Sequence, residues 1–244
     1  MCRMIFAAGK FDVNWLIDDI KKMASDNNEK HEENAHSEFK HSDGWGIAYL
    51  DGNRLKTFRS EKAIYEDSQI DQFKNLNTPL IILHARYGTK GELNINNIHP
   101  FEYQNIKSHF VFFHNGTVRD ELTIDPEFKL KGETDSEKFF YYLISGNFNE
   151  LNISWLQNKL FNLKDFSGAN FILTNGKYSY IANWYSLNPL YYTMKILKQK
   201  DSVIIASEVL PHYRSANWQR LKNQEILSVN NDDLLVQGIL SNLQ

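Results

Sequence analysis

Apolar residues in this chain fall into several short continuous runs and two helical stripes, separated by polar turns. Residues 2–8 form one such run and predict a buried strand at the start. Asp12 then caps a helix whose apolar face is Val13, Leu16, Ile17, Ile20 and Met23. The polar run 25–40 predicts a surface loop or short helix. Residues 47–50 and 54–58 predict a hairpin about Asp51-Gly52. Residues 61–76 are weakly helical. Residues 79–83 are continuously apolar, the pattern of a central strand covered on both faces. Residues 108–113 predict another buried strand. Thr134 and Glu137 form a capping box that opens a helix to about Ser145, with Gly146 as its stop. Leu151, Trp155, Leu156 and Leu160 predict a second helix face, ending before Gly168. Asn175-Gly176 predicts a hairpin between 169–174 and 178–184. Residues 191–197 and 202–206 predict another, and 226–229 and 234–237 close the chain. Many hairpins with a few long helices imply an α+β fold of mostly antiparallel sheets covered by helices.

Composition narrows the class. The chain has 244 residues, 42% hydrophobic, enough for a sizeable core. No linker or repeat divides it, so residues 2–244 read as a single domain. Net charge is -3 and the basic residues are scattered, which argues against a nucleic-acid or anionic-membrane partner. Cys2 is the only cysteine, so no internal disulfide can form and a reducing, cytoplasmic location is expected. The opening apolar run is too short for a signal-peptide core, and no stretch approaches a membrane span.

That single cysteine sits in the most suggestive place. Methionine aminopeptidase is expected to remove Met1 ahead of a small residue, leaving Cys2 with both a thiol and a free α-amine. The amine titrates at about 7.7–8.0 and can act as base to its own nucleophile. Four other segments could complete a site. His41-Ser-Asp43-Gly44-Trp45-Gly46 suggests backbone packed against a ligand or another segment, or an ordinary glycine-rich turn. Arg86 leaves the buried run 79–83, so it needs an anion: a bound carboxylate or a structural ion pair. Asn115-Gly116 could supply an amide and a backbone N–H to an oxyanion, or simply turn the chain. Asp135, in the first helical turn, could hold an ammonium or merely complement the helix dipole. His99 reads as a packed, hydrogen-bonded histidine rather than a ligand.

As a set, these segments resemble the class II glutamine amidotransferases of the N-terminal-nucleophile hydrolase superfamily, from Cys2 to at least Asp135. Ala206-Ser207-Glu208 looks like the element that closes such domains. The resemblance implies a four-layer αββα sandwich. It implies Cys2 as nucleophile, Asn115 and Gly116 as the oxyanion pair, and Arg86 as carboxylate clamp within His84-x-Arg86-Tyr87-x-Thr89. Tyr87 and Thr89 join it as substrate-binding residues, and Asp135 of Thr134-Asp135-Ser136-Glu137 takes the substrate ammonium. No cofactor or metal is implied. Met1-Cys2-Arg3, His41-x-Asp43-Gly44-Trp45-Gly46 and Asn96-x-x-His99-Pro100-Phe101 are similar to a stand-alone branch. That branch includes the ergothioneine-pathway γ-glutamyl hydrolase and glutathione-degrading amidotransferase-like proteins. Tyr87 stands where a tryptophan often follows the arginine, and Lys40-His41-Ser42-Asp43 replaces an Arg-Gly-Tyr-Asp segment.

The expected activity is hydrolysis of a γ-glutamyl amide, glutamine or a γ-glutamyl metabolite, through a Cys2 thioester. Too few residues follow Glu208 for a synthase domain. One alternative is a glutaminase subunit supplying ammonia to a separate synthase, or acting with a peptidase subunit. Another is a non-catalytic γ-glutamyl sensor, which would require that Met1 be retained.

Overall fold

The structure, a computed structural model, describes residues 2–146 and 151–240. Met1, on whose removal the N-terminal reading turns, lies outside the described residues, as do the last four residues of the expected domain. Thirteen described strands form two antiparallel sheets. The strands in chain order are β1 (Cys2–Gly9), β2 (Trp45–Asp51), β3 (Arg54–Ser60), β4 (Leu80–Arg86), β5 (Phe101–Gln104), β6 (His109–Val118) and β7 (Phe166–Thr174). They continue with β8 (Tyr178–Asn183), β9 (Lys195–Lys198), β10 (Ser202–Ala206), β11 (Gln219–Arg220), β12 (Glu225–Asn230) and β13 (Val236–Leu240). One sheet runs β11-β9-β10-β1-β4-β2-β3, the other β13-β12-β8-β7-β6-β5.

Helices cover the outer faces. The first, α1 (Val13–Ala24), is capped by the Asp12 side chain and buries the whole predicted stripe. Its residues meet Ile5, Ala7, Ile81 and Leu83 on the outer face of the first sheet. On the outside of the second sheet, α2 (Asp135–Ile144) and α3 (Ile153–Phe161) pack Phe139, Phe140, Leu156 and Leu160 on Phe112, Phe171 and Leu173. Between the sheets Met4, Phe6, Ile82, Val111, Phe113, Ile172 and Ile181 form a third apolar layer. The layering is αββα, an α+β sandwich, with β1 and β4 central and fully covered. No helix among the described residues is long and apolar enough to cross a membrane.

Several local expectations change. Residues 68–73 form a 3-10 segment in place of a longer helix at 61–76. Leu151 precedes α3 rather than belonging to it. The predicted strand 191–197 starts only at Lys195, because Pro189 opens a short helical turn, α4 (Pro189–Tyr192). The last hairpin strand begins at Val236, not Leu234, which lies in the turn with φ 60°. Asn115-Gly116 is not a turn: β6 runs through it and pairs with β7 as far as Val118. Thr134 caps α2, accepting from Glu137 N at 3.3 Å, but the capping box is not reciprocal. The Glu137 carboxylate instead accepts from Lys131 N and Gly132 N, fastening the preceding loop.

The polar run 25–40 is a strap rather than a loose surface loop. His31 and Asn34 are buried, and the Glu29 carboxylate meets Lys195 Nζ at 2.7 Å and Val209 N at 3.1 Å. Glu208 in turn forms a buried ion pair with Arg3 of β1 at 2.6 Å. Breaking such a pair from one side costs about 3–5 kcal/mol, so the closing segment and the first strand are strongly coupled.

Candidate active site

Strand pairing brings the first residue of β1 opposite the last of β4: Cys2 lies across from Arg86. The Cys2 side chain shares the face of Met4 and Phe6, toward the second sheet. There β6 presents Asn115, whose Oδ1 accepts from Cys2 N at 2.6 Å. With its oxygen so engaged, the amide is oriented, and its Nδ2 is buried without a partner among the described residues. An unpaired buried N–H is costly, so this donor is held ready for an acceptor. Gly116 follows with φ +151°, and a Cβ there would lie 1.7 Å from the Gly168 carbonyl oxygen. Only glycine lets β6 and β7 close at that point.

Arg86 resolves its alternatives in an unexpected way. It is buried, yet forms no ion pair among the described residues. Its guanidinium donates to the carbonyls of Asp43 (3.3 Å), Lys90 (3.1 Å) and Gly91 (3.5 Å). Neutral carbonyls fix the fork, and no carboxylate among the described residues compensates its charge. Gly88 allows the loop to fold over the guanidinium, since a Cβ there would sit 2.7 Å from Nη1. The glycines of the 41–46 segment also meet chain rather than ligand: a Cβ on Gly46 would fall 1.9 Å from the His99 carbonyl oxygen. Asp135 is buried, and its Oδ2 accepts from Val118 N at 2.7 Å. Its Oδ1 makes no hydrogen bond among the described residues.

These groups share one cleft. Cys2, Arg86, Tyr87, Thr89, Gly116 and Asp135 all line a small, partly open space of about 20 Å³. Thr89 bonds Thr117 across its mouth at 3.2 Å, and the Tyr87 ring stacks on Phe39 at 4.3 Å. A roomier cavity of about 730 Å³ runs along residues 10–15 and 75–77, but it contains no nucleophile.

Three buried histidines surround the nucleophile. His84 Nε2 donates to the His114 carbonyl at 3.1 Å. His114 Nε2 donates to the Gly168 carbonyl at 3.2 Å, and its Nδ1 accepts from Ser136 at 2.8 Å. His99 stacks on His84 at 4.2 Å and lines the cavity, but neither of its ring nitrogens has a partner. The expectation of a packed histidine holds; that of a hydrogen-bonded one does not. Burial keeps His99 well below the usual histidine range and His114 at about 4. Residue type and spacing gave no cue to this cluster, because its members come together only through sheet-to-sheet packing.

The Cys2 thiol responds to these neighbours. Burial alone would push its pKa up, but the adjacent His84 imidazole, the charge of the chain's terminal amine and the Tyr87 backbone outweigh that and lower it to about 6. A free thiol titrates near 8.5. The thiolate therefore persists down to about pH 6 and is lost below it. Alkylation of Cys2 by iodoacetamide, followed by intact mass, is expected to rise with a midpoint near pH 6 and level off above neutrality. A midpoint near 8.5 would contradict the electrostatics of this pocket.

Known proteins resemble this chain in sequence and in fold. Residues 30–196 match the family described as glutamine amidotransferases class-II. A Haemophilus influenzae protein named as a glutamine amidotransferase is 34% identical over 149 residues, covering 57% of this chain and 51% of that protein. The chain spans about half or less of the curated relatives it matches most strongly. Among solved structures, the B. subtilis glutamine phosphoribosylpyrophosphate amidotransferase superposes with a TM-score of 0.69 at 18% identity, over 100% of this chain and 50% of that one. A class-II domain protein from Silicibacter pomeroyi gives 0.63 at 17% identity, over 97% of this chain and 98% of that one. The fold is thus that of the N-terminal-nucleophile hydrolase sandwiches. Within that class, the chain belongs to the class II glutamine amidotransferases.

Proposed function

We propose that this protein hydrolyses a γ-glutamyl amide through a thioester on Cys2, as one domain acting on a small molecule. The observation that carries the reading is the shared cleft. It joins a thiol of lowered pKa to an uncompensated buried guanidinium and a buried carboxylate with one unbonded oxygen. A γ-glutamyl head has an α-carboxylate for Arg86 and an α-ammonium for Asp135, with Tyr87 and Thr89 enclosing it. Its distal carbonyl then reaches Cys2.

In the first step Sγ bonds to the carbonyl carbon. The α-amine of Cys2, freed once Met1 is gone, has taken the thiol proton through a water before the attack, so Sγ reacts as the thiolate. The oxyanion is met by Asn115 Nδ2–H and the Gly116 N–H, each such donor contributing about 2.7–4 kcal/mol to barrier lowering. The C–N bond then breaks as the leaving amine takes the proton. Water attacks the thioester, glutamate departs, and Sγ is regenerated. Arg86→Lys keeps the charge but loses the two-pronged geometry. It is expected to raise KM for glutamate release about tenfold or more, with kcat little changed, because the lost contact is made equally in ground and transition states. An unaltered KM would remove Arg86 from the clamp.

The test of the whole reading is a screen of glutamine, glutathione and other γ-glutamyl amides for glutamate release. Activity on none of them would sink it. A second reading, delivery of ammonia to a separate partner, draws support from the B. subtilis amidotransferase, whose chain is twice the length matched here. Glutaminase activity that appears only with a co-purifying protein would favour it.

A further inference from the structure

The carbonyl end of the nucleophile's own peptide is held in an unusual way. Strand β10 ends at Ala206, opposite Ile5, so on that side no strand reaches Cys2. On the other side Arg86 gives its N–H and carbonyl to Gly44 and Asp43, not to Cys2. The Cys2 carbonyl would be a buried acceptor without a ladder partner. It is instead taken by a side chain: the Tyr191 hydroxyl donates to it at 3.0 Å.

That bond fixes the rest of the chain of donors. A tyrosine hydroxyl has one hydrogen, so its contact with His41 Nε2, at 3.1 Å, requires His41 to donate and the hydroxyl oxygen to accept. Within this relay His41 therefore carries its proton on Nε2. Burial, reinforced by the nearby Arg3 charge, keeps His41 neutral. Tyr191 is itself held from three directions. The Arg3 guanidinium lies 4.2 Å from its ring centre. The His31 ring meets it edge-on at 4.9 Å. The Glu32 carboxylate accepts from both Leu190 N and Tyr191 N at 2.9 Å.

We infer that Tyr191 and His41 are positioning residues for the nucleophile, a donor relay that stands in for the missing strand neighbour and fixes the Cys2 peptide plane. This rests on Cys2 being the nucleophile. Asn115 holds the amide end of Cys2 and Tyr191 the carbonyl end, so the two together set where Sγ points relative to the Asn115 Nδ2 donor. The strap 25–40 gains a function from this: its Glu32 and His31 hold the turn that delivers Tyr191.

The test is steady-state glutamate release by Tyr191→Phe, His41→Leu, His41→Gln and the double variant Tyr191→Phe/His41→Leu. A displacement of about 1 Å at a reacting atom can cost about 100-fold. Tyr191→Phe is expected to lower kcat about 10- to 100-fold with KM within about twofold. His41→Leu should follow it, and His41→Gln, which keeps an N–H, should recover most of the loss. The double variant should be no worse than Tyr191→Phe alone, since both act through one bond. Full kcat in Tyr191→Phe, or a change confined to KM, overturns the inference. Should Tyr191→Phe not fold, equal kcat for His41→Leu and His41→Gln overturns it equally. The nucleophile reading fails separately, on Cys2→Ala that still turns over.

Discussion

Cys2→Ala is expected to stop glutamate release while leaving the fold intact. The two halves of that expectation have different sources. Cys2 is buried, but it is a small residue at the end of a strand, and replacing its sulfur removes about 1 kcal/mol of burial. Unfolding of a chain this size should shift by only about 2–4 °C for each kcal/mol. The chemistry has no substitute. Cys2 is the only thiol in the chain, and among the described residues lining the cavity none but Cys2 offers a sulfur. Deleting a covalent nucleophile costs on the order of 10⁶ in kcat where the measurement has been made in a triad hydrolase. The assay is glutamate release with purified wild type and variant, with melting curves run alongside. Residual turnover within tenfold of wild type would mean that another group attacks the amide. A variant that melts far below wild type would mean that the thiol has a structural role the packing does not reveal.

The largest effect on stability is expected from Gly116→Ala. At φ +151° an L side chain is strained, at about 1–3 kcal/mol. The added methyl would also fall 1.7 Å from the Gly168 carbonyl oxygen, which belongs to a paired strand and cannot swing away like a side chain. Overpacking of that kind costs a further 1–3 kcal/mol or so. Together these predict a melting temperature lower by roughly 5–20 °C. Gly52→Ala is the useful contrast. Gly52 also has positive φ, +59°, but a Cβ there meets nothing within 4 Å. It should cost only the conformational strain, about 1–2 kcal/mol. Calorimetry on the pair separates strain from collision. Equal melting temperatures would show that β6 and β7 can separate at Gly116.

The sandwich was legible in the sequence because each layer writes its own pattern. The stripe from Val13 to Met23 could only be a one-sided helix, and 79–83 could only be a strand buried on both faces. Both hairpins with a glycine turn, after Asp51 and at Asn175-Gly176, formed as read. The misreadings share a cause. Asn115-Gly116 looks like a turn to any local rule, yet β7 supplies a continuous partner and holds the pair in a strand. Glu137 was expected to cap its own helix, but a nearby loop offered two N–H groups instead of one. Residues 191–194 have strand-forming side chains, and Pro189 two residues earlier started a helical turn.

The site divided along the same line. The family resemblance placed Cys2, Arg86, Asn115, Gly116 and Asp135 in one constellation, and all five meet around one cleft or its immediate wall. Local sequence held no trace of what surrounds them. Tyr191 is 189 residues from the carbonyl it binds, and the stack of His99 on His84 joins the segment leading into β5 of one sheet to β4 of the other. Whether the Arg86 charge is compensated was equally hidden, since only the folded chain tells whether a carboxylate waits nearby.

The central place of β1 has a consequence for how the proposed free amine could arise. Its neighbour β10 is made about two hundred residues later, and at 5–20 residues per second that interval is roughly 10–40 s. During it the chain's leading edge stands outside the ribosome with one flank open. Afterwards Cys2 lies between the layers with 5% of its surface in contact with solvent. On the proposed reading, an exopeptidase would have its widest access to the start of the chain while translation is still under way. Maturation would then be a race between that exopeptidase and the closing sheet, and slowing the exopeptidase would leave folded molecules without the free amine.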